Sequence, residues 1–376
     1  MKRARNPVST HAPLAGYSHV DEEVGEALEH ERVAIAVGER SGLPVIVAVH
    51  STVLGPAVGG CRLWRYAHWR AALDDALRLS EAMTLKCALA GLALGGGKSV
   101  IALAPGDLEL TAERRRAAML DLGDAVDAFG GSYGVGEDVG TTAEDMLIAR
   151  ERTRYAYCLP ESQGGAGEPS EPTAEGVRLA IGVTLERAFG APEVSGRRIG
   201  IIGLGQVGSR VARRLAAHGA ELVLSDIDAS KRTLANELHA SWTEPDEALR
   251  ADVDVLVPAA LGGVLTPGAV ATLRCAAVAG PANNQLVDDS VADVLHERGI
   301  LWAPDFVVNA GGVIYGSAME MDGCTREDAM ARVGAITATL GTVFAAADEN
   351  SITPLEAARR VARERLEGGL RRSARC

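Results

Sequence analysis

No uninterrupted apolar stretch in this 376-residue chain approaches the roughly 18 residues that a membrane-spanning helix requires. Cysteine is sparse. The six residues at positions 61, 87, 158, 275, 324 and 376 form no C-x-x-C and accompany no histidine pair at ligand spacing. They fit a reducing compartment and argue against a structural metal. Excess positive charge is missing as well. A net charge of −12 speaks against a general nucleic-acid binder. The exception is the run of seven arginines from Arg359 to Arg375, which reads as a solvated helix face. The first twenty residues hold Lys2, Arg3, Arg5 and no acid, but Pro7 and Pro13 would interrupt a transit helix. No apolar h-region follows, so the expectation is a disordered start of a cytoplasmic protein. No repeat period is visible.

What is present is ordinary for a soluble chain, 47% apolar and 23% charged, and long enough for two domains. The stretch "GLALGGGKSV" (91–100) puts Lys98 and Ser99 after three glycines. It is not a phosphate loop. That motif needs a glycine five residues before Gly97, where Leu92 stands, and it should open a helix. Here "SVIALAP" reads as a strand, so Lys98 sits where a glycine-lined turn enters a strand and has another task.

Along the chain, 43–52 and 98–104 are strand-like. Residues 69–91, with Ala72, Leu73, Ala76, Leu77, Leu79 and Met83 at helical spacing, and 111–129 read as helices. The segment 159–173, rich in Pro, Gly, Ser and Glu, reads as a linker or mobile loop. A helix follows, with Thr173 as N-cap and Gly190 as stop. After it, strand-like runs ("IGII", "AELVLSD", "VDVLVPAA", "CAAVAGPAN", "GILWAPDFVVNAGG") recur with helical stretches between some of them, which predicts a parallel sheet covered on both faces. Long helical segments near 325–348 and 353–370 close the chain and could return to the first domain.

Gly203, Gly205 and Gly208 form G-x-G-x-x-G between a strand and a helix, and Asp226 lies 18 residues past Gly208 at the end of the next strand. In that context the motif predicts a dinucleotide site. One glycine makes the tight turn, one lets the backbone approach a pyrophosphate, and one lets helix and strand pack closely. The helix N-terminus faces the phosphates. Asp226 would accept from both ribose hydroxyls and repel a 2′-phosphate, so NAD is expected over NADP; the alternative is that it only caps the next turn. Lys86 and Lys98 stand twelve apart in almost wholly apolar and glycine surroundings. Burial and mutual repulsion would lower an ammonium pKa. One lysine could then hold an anion while the other works as a base, or both could snorkel at a domain edge.

"GPAVGGCRLW", "MTLKCALAGLALGGGKSVI", "GEDVGTTAEDM", "GLGQVG", "AGPANNQL" and "APDFVVNAGGVI" follow one another in this order. From about residue 28 to 366 the chain resembles the leucine, phenylalanine and valine dehydrogenases, in the superfamily that includes glutamate dehydrogenase. The resemblance implies an α/β fold of two domains: 1–155, completed by 340–376, for substrate and oligomerisation, and 156–339 as a Rossmann-type NAD domain. It also implies reversible oxidative deamination of an amino acid to a 2-oxo acid and ammonia, in a homo-oligomer of unspecified size without membrane or nucleic-acid partners. Lys98 would be the general base and Asp138 would exchange protons at the substrate nitrogen. Lys86, with backbone at Gly59 and Gly60, would bind the α-carboxylate, and Asn284 would position substrate and nicotinamide. Thr173, Gly203, Gly205, Gln206, Val207, Gly208, Asp226, Ala259, Ala260, Asn284 and Asn309 would hold the cofactor, and no metal is implied.

Glutamate dehydrogenases resemble "GPxKGG" where this chain has Val58, so a buried side-chain carboxylate would lack a partner. An apolar side chain is expected, against Met83, Val58 and Val313. Gly136 replaces the alanine of the leucine-dehydrogenase "AED", and Gly316 the second valine of "NAGGVINV". Both remove volume and favour Phe or Trp over Leu or Val, unless Tyr315 or another side chain refills the space. Cys87, Ala93 and Ala259 also depart from the family pattern. The same scaffold could instead aminate with a different amine or handle a specialised oxo acid. A silent NAD-binding regulator would have no need of Lys86, Lys98, Asp138 and Asn284 together.

Overall fold

The computed structural model describes residues 29–107 and 110–373; the amino-terminal segment, Arg375 and Cys376 lie outside them. The first domain runs β1 (Arg32–Val37), β2 (Pro44–Ser51), β3 (Ala57–Arg65), α1 (Trp69–Leu89), β4 (Gly95–Leu103), α2 (Ala112–Asp127), β5 (Tyr133–Glu137) and α3 (Ala143–Arg150). Its sheet has the order β1-β2-β4-β3-β5. The first three neighbours are antiparallel, and β4-β3-β5 are parallel. All nine residues of β4 are buried.

The glycines before Lys98 therefore belong to the strand and not to a turn leading into it. A Cβ at Gly96 would fall 2.1 Å from the Thr84 backbone N on α1, and one at Gly97 would fall 2.6 Å from the Tyr133 ring. Helix α1 rests directly on β4 through buried Ala72, Ala76, Thr84 and Cys87. Only glycine permits that spacing, and it holds Lys86 and Lys98 on adjoining layers.

The second domain continues with α4 (Ser170–Phe189), β6 (Arg198–Ile202), α5 (Gln206–Ala217), β7 (Glu221–Ser225), α6 (Arg232–Glu237), β8 (Ser241–Trp242) and β9 (Val255–Pro258). Then come α7 (Pro267–Thr272), β10 (Ala277–Val278), α8 (Ser290–Glu297), β11 (Leu301–Trp302), α9 (Asp305–Val308) and α10 (Gly311–Glu320). The sheet is parallel throughout, in the order β11-β10-β9-β6-β7-β8. Its strand order reverses between β6 and β9, the crevice where such sheets take their ligands. Helices α11 (Arg326–Val333), α12 (Ala335–Asn350) and α13 (Pro354–Ser373) end the chain. They return to the first domain: Thr339 Oγ1 donates to the Leu89 carbonyl and Arg365 to that of Ala88.

Several expectations need correction. Helix α4 begins at Ser170, whose N–H is taken by the Glu168 carboxylate, so Thr173 is inside the first turn and its hydroxyl donates to the Pro169 carbonyl. The run 300–312 is strand only at Leu301–Trp302. Beyond Pro304 the chain turns into α9, with Asp305 Oδ1 accepting from Phe306 N–H. The expected helix over 325–348 breaks at Gly334. Segment 159–169 is packed instead of mobile: Ala166 is buried and its N–H donates to Glu320. Residues 326–350 are apolar and long enough to cross a membrane by composition, but Ile336, Leu340, Val343 and Phe344 are spent in the core.

Candidate active site between two domains

The ammonium of Lys98, 5% exposed, lies 2.8 Å from Asp138 Oδ2. Arg62, a residue sequence reasoning did not single out, donates its Nε to the same oxygen at 3.1 Å and reaches Asp75 with its other arm. Its only signal was its place two residues after Gly60 on β3, which alternation puts on the face of Gly60. Burial raises the Asp138 carboxyl, but Lys98 and then Arg62 outweigh it and hold it at about 2. Asp138 therefore rests as the carboxylate near neutral pH and can accept a proton only transiently.

The Lys86 ammonium has neither hydrogen bond nor ion pair among the described residues, while its backbone carbonyl is engaged by Ala90 N–H. Burial, with Lys98 adding to it, pushes its ammonium below the ordinary range, while Asp305 opposes the shift. A half-buried cation without a counter-ion suits an anionic ligand. A cavity of about 230 Å³ is lined by Lys98, Asp138, Val58, Gly59, Gly60, Met83, Gly136, Thr173, Val313 and Gly316. Most of the residues expected around substrate thus share one cavity, but Lys86 and Asn284 are not among its lining residues. Two of the remaining lining groups are Cys158 and Glu320. The two pocket glycines differ. A Cβ at Gly316 would meet nothing within 4 Å, whereas one at Gly136 would stand 2.9 Å from Cys158 Sγ. The volume Gly136 releases is already filled.

The glycine turn is built at the crevice. Gly203, at φ +100°, leaves no room for a Cβ against Ala260, and one at Gly208 would lie 2.0 Å from the Gly203 carbonyl and 3.2 Å from Ala259. Gly205 faces open space, as close backbone approach to a ligand demands. Gln206 and Val207 open α5. Asp226 stands one residue past β7 and accepts from Leu204 N–H at 2.6 Å and Asp228 N–H at 2.8 Å. These bonds fix its carboxylate and leave further lone pairs.

Asn284, left-handed at φ +52°, lines a second opening of about 1110 Å³ with Ala260, Arg62 and Asp305. Its turn is anchored by Asp305 and Gln285, which sequence reasoning missed, and by Asn309, which it had placed at the cofactor. Asp305 accepts from Gln285 N–H, Gln285 donates to the Gly280 carbonyl, and Asn309 donates to Asn283 Oδ1. Asn309 Oδ1 is buried without a partner. An open glycine turn, a fixed acid beyond the second strand and an unpaired amide oxygen together fit a dinucleotide. Among the described residues no cluster could hold a metal.

A parallel dinucleotide sheet facing a lysine–aspartate pair across a cleft defines a nicotinamide-dependent dehydrogenase. Residues 30–155 match the family described as Glu/Leu/Phe/Val dehydrogenase, dimerisation domain, and 224–368 match Glutamate/Leucine/Phenylalanine/Valine dehydrogenase. Residues 178–261 match the NAD-binding domain of D-isomer specific 2-hydroxyacid dehydrogenases. The chain is 39% identical to a leucine dehydrogenase of Bacillus cereus, over 91% of this chain and 92% of that one. It is 40% identical to a phenylalanine dehydrogenase of Lysinibacillus sphaericus, over 90% and 89%. The solved L-tryptophan dehydrogenase from Nostoc punctiforme superposes with a TM-score of 0.78 at 34% identity, covering 92% of this chain and 97% of that one. The protein belongs to the Glu/Leu/Phe/Val dehydrogenase family, and is an NAD-dependent amino-acid dehydrogenase.

Proposed function

We propose that the enzyme reversibly deaminates a hydrophobic L-amino acid, with aromatic side chains preferred over Leu or Val, to the 2-oxo acid and ammonia. The observation that carries this reading is the single cavity shared by the Lys98–Asp138 pair and an apolar wall left open at Gly316. Val58 offers no cation to a side-chain carboxylate. The relatives named for phenylalanine and tryptophan support the aromatic preference, while those named for leucine keep the smaller substrates in contention.

Lys86 pairs with the substrate α-carboxylate, which supplies its missing counter-ion, beside backbone at Gly59 and Gly60. When bound, the nicotinamide would supply the acceptor for a hydride from the substrate α-carbon. The iminium left behind is cationic, and the ionised Asp138 stabilises it. Lys98, once its ammonium proton has been released to solvent at alkaline pH, takes one from the attacking water. Asp138, 2.8 Å away, passes protons between Lys98 and the substrate nitrogen as ammonia departs. Asn284 orients substrate and nicotinamide. Thr173, Asn309, the Gly203–Gly208 turn with Gln206 and Val207, Asp226, Ala259 and Ala260 hold the cofactor. The first domain's match to a dimerisation domain supports a homo-oligomer.

The test is NADH formation from NAD and a panel of L-amino acids at alkaline pH, repeated with Gly316→Val. Phe or Trp should exceed Leu in the unmodified enzyme. Valine fills the open position and should move the Phe:Leu ratio of kcat/KM down by about 10-fold or more, the usual worth of a few methylenes in an apolar pocket. Leucine leading from the outset, with the ratio unmoved by the valine, would refute the aromatic preference.

A further inference from the structure

Strand β5 presents two glycines to the segment that follows α3, and each receives a side chain from it. A Cβ at Gly134 would fall 2.5 Å from the Tyr157 ring, and one at Gly136 would fall 2.9 Å from Cys158 Sγ. The segment is locked there. Val135 N–H donates to the Tyr155 carbonyl, and Tyr157 N–H donates to the Val135 carbonyl at 2.7 Å. Gly136 itself is not in the left-handed region and pairs in register with Gly60. Its backbone would therefore accept alanine, and the cysteine sulfur is the nearest obstacle. Cys158, by contrast, sits at φ +56°, a conformation that a residue with a Cβ adopts only when its surroundings compel it.

The usual arrangement is thus inverted, with glycine where the backbone is ordinary and a side chain where it is left-handed. Burial pushes the Cys158 thiol up to about 12, with Glu320 and Glu137 adding to it, so it packs as a small neutral group. Both Gly136 and Cys158 line the cavity that holds Lys98 and Asp138.

We propose that Gly136 and Cys158 form one steric unit, in which Cys158 fills the space of a side chain at 136 and sets the size of substrate side chain the cavity admits. The substrate part rests on the amino-acid dehydrogenase reading above; the steric part does not. Gly316, and not Gly136, is then the position that leaves room for a larger substrate.

The experiment compares Gly136→Ala, Cys158→Gly and the double variant, reading thermal midpoint and the Trp:Leu ratio of kcat/KM with NAD. Gly136→Ala alone should lower the midpoint by several degrees and depress turnover of both substrates. The double variant should return to within about 2 °C of Cys158→Gly. Cys158→Gly, with the sulfur removed and the backbone relaxed, should raise the Trp:Leu ratio by about 10-fold. Two results would overturn the proposal: Gly136→Ala with the unmodified midpoint, or an active Cys158→Gly whose ratio stays within about twofold of the parent. If the unmodified enzyme turned over no amino acid, the substrate reading would fall while the thermal comparison still decided the steric unit.

Discussion

Replacing Lys98 with alanine tests the chemistry most directly. The ammonium removed is 5% exposed and is one of two cations on the Asp138 carboxylate; Arg62 at 3.1 Å is the other. Breaking a buried pair costs about 3–5 kcal/mol when nothing compensates. Arg62 remains, so the expected loss is smaller, about 1–3 kcal/mol, or roughly 3–10 °C in thermal midpoint for domains of this size. A lost general base costs about 10²–10⁴-fold in turnover, equivalent to about 3–5.5 kcal/mol of barrier. Lys98 lies on β4, in the other sheet from the Gly203–Gly208 turn, so NAD affinity should change by less than about twofold.

There is also an acid signature. A carboxyl held at about 2 contributes stability that is present above the ordinary carboxylate range and lost as pH falls through about 2. Without Lys98 burial meets Arg62 alone, the carboxyl rises, and acid unfolding should begin at higher pH. NADH absorbance gives kcat, fluorescence titration gives the NAD dissociation constant, and calorimetry against pH gives the midpoint. Turnover within tenfold of the parent, or NAD affinity falling by the same factor as kcat, would refute the assignment.

Asp226→Gly should weaken NAD by about 10-fold or more and admit NADP, since a fixed acid beyond the second strand selects an unphosphorylated ribose; unchanged cofactor preference in steady-state kinetics would leave the carboxylate with only its Leu204 and Asp228 bonds. Glu137 is pushed up to about 7 by burial and then by Glu168, Glu144 and Asp145. The folded state therefore holds its proton more tightly, and stability is lost as pH rises from about 4.5 through about 7. Glu137→Gln escapes that loss, so its midpoint should overtake the parent's progressively between pH 5 and 8; a constant difference across that range would count against the shift.

Reading the residues in order went furthest where function is written locally. A glycine turn between a strand and a helix is decided within a few residues, and so are the lysines in their apolar stretch. Reading failed where the deciding contact is distant. Arg62 meets Asp138 from 76 residues away, and Asp305 holds the Asn284 turn from the start of a helix that read as strand. The segment before α4 looked mobile by composition, yet Glu320, 154 residues on from Ala166, ties it down.

Gly136 shows the division most plainly. Loss of a methyl group in a pocket wall reads as added volume, and for Gly316 the surrounding space is indeed open. At Gly136 the same inference fails because volume belongs to whatever packs there, and a sulfur from position 158 does. Motif spacing by itself pointed to the dinucleotide turn, because that turn follows from short-range backbone geometry and residue type, while the two-domain dehydrogenase fold and the roles proposed for Lys98 and Asp138 came from the family resemblance that the ordered motifs carry. The ionisation of Asp138, the missing counter-ion of Lys86 and the true floor of the cavity were decided only in three dimensions. Electrostatics and close packing act between groups that the chain brings together from far apart.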